Sequence, residues 1–447
     1  MPYILNTEAD IKEMLKAIGL NSLDELFRRL PGQIRLKEPL KIAAGLSEYQ
    51  VKSAVAALAA KNTPVDGFNS FLGAGCYDHY IPAALPSIIS RSEFVTAYTP
   101  YQAEASQGSL QAIYEYQSYI CLLTGMDVAN ASMFDGASSM AEAALMALRI
   151  TGRDKIVVSG SIHPEFRQTL KTYLSGFDFT IKNVGFDEHG FVDTGSLNEA
   201  IDGRSACFIA QSPNFFGLIE DAAKIGRMIK EKGAIFIMVA NPLSLAILND
   251  PASLGVDIFC GDGQPLGGAL NFGGPAFGIL ATRNEYLRQL PGRIVGKTTD
   301  RQGKEAYCLT MQAREQHIRR EKATSNICSN QSLNAIGAAV YLSLMGKEGL
   351  TGAALRSLEM ARYLHECLKN VGKVKIKFSS RFFNEFVWEI EGAKKIVKKL
   401  YKKRIIAGFL LGEFYPKLKN CILSCCTEKK SKGDIDNFIE TLKNVIC

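Results

Sequence analysis

Two short stretches of the chain collect side chains able to do chemistry. In FLGAGCYDHY (71–80), Cys76 and His79 stand close together in a glycine-rich turn, a thiol beside an imidazole of the kind nucleophilic catalysis uses. Neighbours in sequence seldom form a working dyad, and Asp78 is the only nearby carboxylate, so a tight turn facing a pocket explains the same residues. In MFDGASSMAEAALMAL (133–148), Asp135, Gly136, Ala137, Ser138 and Ser139 lead straight into a helical pattern. Small residues at a helix start offer N–H groups and hydroxyls to an anion, while Asp and Ser are equally ordinary N-caps; both readings stand. A third stretch, GRIVGKTT (292–299), has three residues between Gly292 and Gly296-Lys297, where a phosphate loop needs four, and no apolar strand precedes it.

The densest glycine segment is CGDGQPLGGALNFGGPAFG (260–278), with seven glycines in nineteen residues and no Lys, His or Ser. Such a backbone turns sharply or approaches something closely. It has the look of an active-site loop without an active-site residue.

The elements that would position these residues alternate in type. KIVVSG (155–160), ACFIAQ (206–211), AIFIMVA (234–240) and VDIFCG (256–261) are continuous apolar runs of the kind buried in parallel sheets. Helical patterns follow most of them, so the expected class is α/β. The loops SIHPEF, SPNFFG, NPLS and DGQPLGG then line one edge of the sheet, where open α/β sheets place ligands. Residues 1–60 read as a helical arm, with capping-box patterns at Thr7–Asp10 and Ser22–Glu25 and Pro31 closing the second element. Residues 61–330 read as a large α/β domain. Residues 331–447 read as a linking helix, a second helix and a small α+β domain built on FFNEFVWEI, KKIVKKLYKK and IIAGFLL.

Composition narrows the class. The 447 residues, 47% hydrophobic and 22% charged, describe an ordinary globular chain. The longest apolar run, 234–248, is broken by Asn241 and Pro242, short of a membrane span. The amino terminus lacks a basic leader and points to the cytoplasm. Eleven cysteines without a CxxC pair read as reduced thiols, and the five histidines do not fall at metal-ligand spacing with them. The net charge of +7 concentrates in KKIVKKLYKKR (394–404). There Ile396, Val397 and Leu400 recur at helical spacing, which makes a surface helix with a solvated basic face the plainest reading, an acidic protein partner the next, and nucleic acid the least supported.

FLGAGCYDHYIP, TAYTPYQAEASQGSLQAIYEYQ, FDGASSMAEA, SPNFFGLIED and REQHIRREKATSNICSNQSL together resemble the P-protein of the glycine cleavage system, over nearly the whole chain. The resemblance is to the first half of that glycine decarboxylase, also called the alpha subunit or subunit 1. It implies the aminotransferase-like fold type I of pyridoxal-phosphate enzymes. It implies pairing with a lysine-bearing subunit 2, two copies of each, that decarboxylates glycine and passes the aminomethyl group to the lipoyl arm of H-protein.

Compared with the family's catalytic half, Gln264 and Pro265 stand in place of a His-Lys pair, and Met238 stands in place of the Asp that anchors the pyridine nitrogen. Proline offers no amine and methionine no charge, so no catalytic residue is expected in this chain, and the cofactor is expected on the partner subunit. The resemblance makes Asp135, Ser138, His163 and Asn214 remnants of a vestigial pocket, with His163 placed to stack on a ring and Asn214 to reach a phenolic oxygen. Tyr98, Thr99, Tyr101, Gln102, Thr324, Ser325 and Asn326 become candidates to line the partner's site across the subunit boundary. The alternatives are a self-sufficient pyridoxal-phosphate lyase or desulfurase using Lys297, Lys322 or another lysine, and a purely structural pseudoenzyme.

Overall fold

The computed structural model describes residues 5–36, 38, 40–327 and 329–446. It divides into two compact units, Met1–Thr63 and Pro64–Cys447.

In the first unit, helix α1 (Glu8–Ala17) starts at Thr7, whose side chain accepts from the Asp10 N–H while Asp10 reaches back, the capping box the sequence predicts. Ser22, by contrast, makes no side-chain cap bond to the four-residue turn Leu23–Leu26, too short to need one. Helix α2 (Glu48–Ala59) is capped reciprocally by Ser47 and Gln50. Leu15 is the only buried residue among those described in this unit, and Tyr49, Val55 and Leu58 lie open on α2.

The second unit is organised by a seven-stranded sheet. Its strands are β1 (Val128–Ala129), β2 (Lys155–Ser159), β3 (Thr180–Val184), β4 (Ser205–Gln211), β5 (Ile235–Val239), β6 (Ile258–Asp262) and β7 (Gly278–Thr282). Their order across the sheet is β1-β7-β6-β5-β4-β2-β3. All pairings from β3 to β6 are parallel, and β7 runs antiparallel to both its neighbours. Four of these strands are the apolar runs read from the sequence. Their continuity follows from burial on two faces. On one face Phe208, Phe236, Met238 and Phe259 pack with residues of helices α3 (Gln107–Thr124) and α7 (Ser332–Lys369). On the other, Ile156, Ile209, Ile237 and Ile258 pack with α4 (Gly136–Thr151) and α5 (Pro164–Leu174). Helix α6 (Ala222–Glu231) adds Ile225 and Ile229 to the first face. The long α7 breaks at Gly346, whose φ of 58° interrupts the helical run. This is where the sequence pattern separates two helices.

GRIVGKTT forms no phosphate loop. Ile294–Thr299 is strand β8, paired antiparallel with β9 (Glu305–Thr310) in a hairpin. Beyond α7 lies a four-stranded antiparallel sheet of β10 (Lys375–Ile376), β11 (Glu385–Glu389), β12 (Phe409–Leu410) and β13 (Cys421–Cys425), ordered β10-β11-β13-β12. Helix α8 (Ala393–Lys402) turns Ala393 and Leu400 inward and leaves Lys394, Lys395, Lys398 and Lys399 exposed, the amphipathic helix its spacing predicts. Helix α9 (Lys432–Ile446) closes the layer, with Phe438 against the buried Trp388.

The loop after β4 is stitched to β11. Gly217 has φ of +86°, and a β-carbon on it would lie 1.9 Å from the Glu385 carbonyl oxygen; its own carbonyl accepts from the Phe383 N–H. Gly217→Ala is therefore expected to lower stability by roughly 3 kcal/mol or more through combined left-handed strain and backbone clash. Urea unfolding of the purified chain checks this, and an unchanged midpoint would contradict the packing described.

Candidate functional site

The loops at the carboxyl ends of the strands converge as expected. His163 and Phe166 follow β2, Pro213 and Asn214 follow β4, Asn241 follows β5, and Asp262 and Pro265 end β6 and begin the glycine-dense loop. They enclose a cleft closed from the other side by Gly75, Tyr77, Asn384 and Glu385. The room left inside is about 40 Å³. Beside the start of α4 the cleft adjoins a more open pocket of about 520 Å³ that shares Gly75, His163, Phe166 and Asp262, within the roughly 300–1,000 Å³ of pockets that hold a small molecule or cofactor.

The vestigial-pocket residues are used internally. The His163 ring sits against Phe166 and Phe215 at 5.0 and 4.8 Å between centroids. Its Nε2 bonds the Ala74 carbonyl at 2.9 Å, and its Nδ1 accepts from the Glu165 N–H at 3.2 Å. This fixes the proton on Nε2. Both nitrogens are engaged, and the ring packs between two phenylalanines. Asn214 does not reach toward a ligand: its amide donates to the Gly190 carbonyl and to Glu220, and its oxygen accepts from the Phe216 and Leu218 N–H groups. All four of its hydrogen-bonding positions are filled. Asp135 and Ser138 form a capping box on α4.

The start of α4 carries the telling contact. Asp262 places Oδ2 3.0 Å from the Gly136 N–H and Oδ1 2.9 Å from the Gln264 N–H. A helix N-terminus is where the backbone receives a phosphate, and here a carboxylate of the same chain is already there. Gly136 permits the approach, since a β-carbon on it would come 2.7 Å from the Asp262 nitrogen.

Gln264 and Pro265 close the remaining side. The Gln264 oxygen accepts from the Tyr77 N–H at 2.9 Å, and its amide donates to the carbonyls of Tyr77 and Gly268 at 2.8 and 2.7 Å. The glutamine clamps the 71–80 turn onto the glycine-dense loop. Met238 does not line the cleft. Side chains alternate along β5, so Met238 packs with Phe208 and Phe236 on the opposite face, and Val239 faces the cleft. The position facing a ring is thus one residue later than the sequence comparison suggests, and it is still uncharged.

Cys76 and His79 form no dyad: His79 Nδ1 pairs with Glu428 Oε2 at 2.7 Å. Nine cysteines are free thiols among the described residues, while Cys328 and Cys447 lie outside them. No group of three or more metal-ligating side chains occurs among the described residues.

The boundary candidates gather elsewhere, and none lines the cleft. Tyr98, Tyr101 and Gln102 are exposed, and Thr99 is half-buried with its hydroxyl unpartnered. The Tyr101 hydroxyl meets Arg293 at 2.8 Å, Arg293 lies 3.9 Å from Glu315, and the Thr324 N–H donates to the carbonyl of neighbouring Arg314. Tyr101 and the Thr324–Asn326 turn therefore hang from one support. Sequence reading did not single out Asp262, Glu385, Arg293 or Glu315, whose importance depends on partners distant in the chain.

A mostly parallel sheet sandwiched by helices, with loops at its carboxyl edge and a small antiparallel domain folded over that edge, defines the fold type I, aminotransferase-like class. Sphingosine-1-phosphate lyase from Burkholderia pseudomallei shares this fold, with a TM-score of 0.66 over 92% of each chain at 13% identity. The family model described as "Glycine cleavage system P-protein" matches residues 1–442, and the chain belongs to that family. It is 49% identical over 442 residues to a "Probable glycine dehydrogenase (decarboxylating) subunit 1" of Carboxydothermus hydrogenoformans, covering 99% of both. It is 49% identical over 445 residues to the protein of the same name from Chlorobium luteolum, again covering 99% of both. A solved glycine decarboxylase (P-protein) of the glycine cleavage system, in inhibitor-bound form, superposes with a TM-score of 0.91 over 100% of both chains at 40% identity.

The family implies pyridoxal phosphate, and the residues of this chain's own cleft do not fit it. The Gly136 N–H at the helix terminus is taken by Asp262, and position 265 has no amine.

Two carboxyls at the cleft and Glu220, which sits behind Asn214, are held high, each chiefly by burial: Asp262 is pushed up to about 6, and Glu385 and Glu220 to about 7. Glu385 accepts from the Ala74 N–H and the Tyr77 hydroxyl at 2.6 and 2.8 Å, which offsets part of the effect. These values exceed the unfolded ones, so folding favours the protonated forms. Their stabilising contribution is complete below about pH 4 and is lost as pH rises through about 6 to 7. His163, held low by burial, acts in the opposite sense, its contribution being lost on acidification. Glu385→Gln isolates one carboxyl: relative to wild type, the variant is expected to gain on the order of 3 kcal/mol between pH 4 and pH 8. Chemical denaturation at several pH values measures the difference, and parallel pH profiles would contradict it.

Proposed function

We propose that this chain is subunit 1 of a glycine dehydrogenase (decarboxylating), completing a catalytic site whose pyridoxal phosphate is held by a second, lysine-bearing subunit. The single observation that carries the assignment of roles is the internal Asp262 carboxylate on the start of α4, where a cofactor phosphate would have to sit. Decarboxylation of glycine needs an electron sink, which pyridoxal phosphate on the partner supplies. This chain's contribution is to bind and orient. Tyr98, Thr99, Tyr101, Gln102 and the Thr324–Asn326 turn form a polar wall for the partner's site and help keep bulk water from it. The aminomethyl product passes to the lipoyl arm of H-protein, for which the basic face of α8 is a candidate landing surface. Reversing the charges of Lys394, Lys395, Lys398 and Lys399 without loss of H-protein binding would remove that face from consideration.

The complex is assigned to the cytoplasm as two copies of each subunit, with no nucleic acid and no membrane among its partners. The exposed apolar residues of α2 support a role for the first unit in assembly. A self-sufficient enzyme finds no support at Lys297 or Lys322: Lys297 is paired with Glu305 on the β8–β9 hairpin, Lys322 is exposed, and neither lines the cleft.

The experiment is incubation of the purified chain with pyridoxal phosphate, reduction with borohydride and peptide mass mapping, repeated with the lysine-bearing subunit present. The expected result is no stoichiometric adduct on this chain, with glycine decarboxylation appearing only when the partner is added. A single fully labelled lysine on this chain would overturn the assignment.

A further inference from the structure

We infer that Tyr101 is a fixed hydrogen-bond donor for the carboxylate of glycine in the partner's site, and that buried Arg293, backed by Glu315, is the positioning residue that fixes it. This rests on the boundary reading above and adds the group contacted and the residues responsible.

Tyr101 belongs to an irregular segment, and half of its surface is open. An exposed phenol on a loop ordinarily samples several rotamers. Here three contacts restrain it. The Arg293 guanidinium donates to its oxygen at 2.8 Å, the same guanidinium lies 5.3 Å from its ring centroid, and His317 meets the ring edge-on at 6.2 Å.

The supports are anchored more firmly than the ring itself. Arg293 is 6% exposed and directly precedes β8, and its carbonyl accepts from the Ala131 N–H at 2.8 Å. Glu315 is 9% exposed, lies 3.9 Å from Arg293 and 3.7 Å from His317, and keeps one carboxylate oxygen without a hydrogen-bond partner. Burying an ion pair is costly. Neighbouring Arg314 binds the Gly292 carbonyl at 3.0 Å, so both ends of the pair are tied to the same strand entrance.

The chemistry of the contact sets the direction of donation. A guanidinium has donors only, so in the Arg293 contact the Tyr101 oxygen must accept. Its own hydrogen is left to donate away from Arg293, and the chemistry suited to receive it is an acceptor oxygen. Glycine presents one in its carboxylate. A phenol held in one orientation binds that group without first losing rotamer freedom.

The test is steady-state glycine decarboxylation by the complex reconstituted from this chain, the lysine-bearing subunit and lipoylated H-protein, with assembly checked by size exclusion. Tyr101→Phe is expected to raise KM for glycine about tenfold or more, the usual scale for a lost bond to a charged group, with a smaller change in kcat. Arg293→Met should reproduce that split, Arg293→Lys should recover part of it, and the Tyr101→Phe/Arg293→Met pair should be no worse than Tyr101→Phe alone. If Tyr101→Phe raises KM but an assembled Arg293→Met keeps the wild-type value, or the two effects add fully, Arg293 is not the positioning residue. Should Arg293→Met fail to assemble, Glu315→Gln decides in its place: raised KM supports the inference and an unchanged KM overturns it. If Tyr101→Phe and Tyr101→Ala both leave KM and kcat unchanged, the boundary reading itself fails.

Discussion

The Asp262 carboxylate at the first turn of α4 is the contact around which the cleft is arranged. A helix terminus buried at a sheet edge leaves N–H groups that must find acceptors. In this chain the acceptor comes from the end of β6, two residues before Gln264. Once Asp262 is there, the glycine-dense loop must leave β6 close to α4, Gln264 falls within reach of Tyr77, and the 71–80 turn is drawn over the opening. Glu385 then completes the closure from the small domain by accepting from Ala74 and Tyr77. Under the proposed division of roles, this chain's lack of a cofactor position is therefore more than the absence of an amine at residue 265. Internal hydrogen bonds occupy the helix terminus, and several glycines of the loop stand where backbone and side chain pass near one another.

The residues proposed to serve the partner's site lie at a different place on the molecule. Tyr101 and the Thr324–Asn326 turn depend on residues 293, 314 and 315, which brace the entrance to β8. In the proposed assignment the same fold separates two tasks that a self-sufficient enzyme performs together. At the sheet edge the polar groups are bonded to one another, and at the periphery Tyr101 is exposed with its hydroxyl held.

Much of the frame was legible in the sequence because it rests on short-range signals. Continuous apolar runs marked β2, β4, β5 and β6, and helical spacing marked α8 with its basic face. The loops at the carboxyl edge followed from the strands. That Gln264 and Pro265 offer no amine could be read from residue type alone. Met238 shows the limit: a comparison of sequences slips by one position without penalty, whereas in a strand that slip turns the side chain to the other face. His163 and Asn214 were visible as residue types, but whether their polar atoms were free depended on Ala74, Glu165, Gly190 and Glu220. Asp262 looked like one more turn residue. Arg293 and Glu315 each looked like surface charge, and only the tertiary fold brings them together.

The occupied helix terminus also bears on how the subunit is supplied. A protein that binds a vitamin-derived cofactor gains stability with the free concentration of that cofactor, and so its abundance follows nutrition. Under the proposed division of roles, a chain whose helix terminus is taken by its own Asp262 and whose loop offers no amine at position 265 draws nothing from that source. On that proposal its folded population is set by its own hydrogen bonds and by its assembly partners, and cofactor shortage acts on it only through the lysine-bearing subunit.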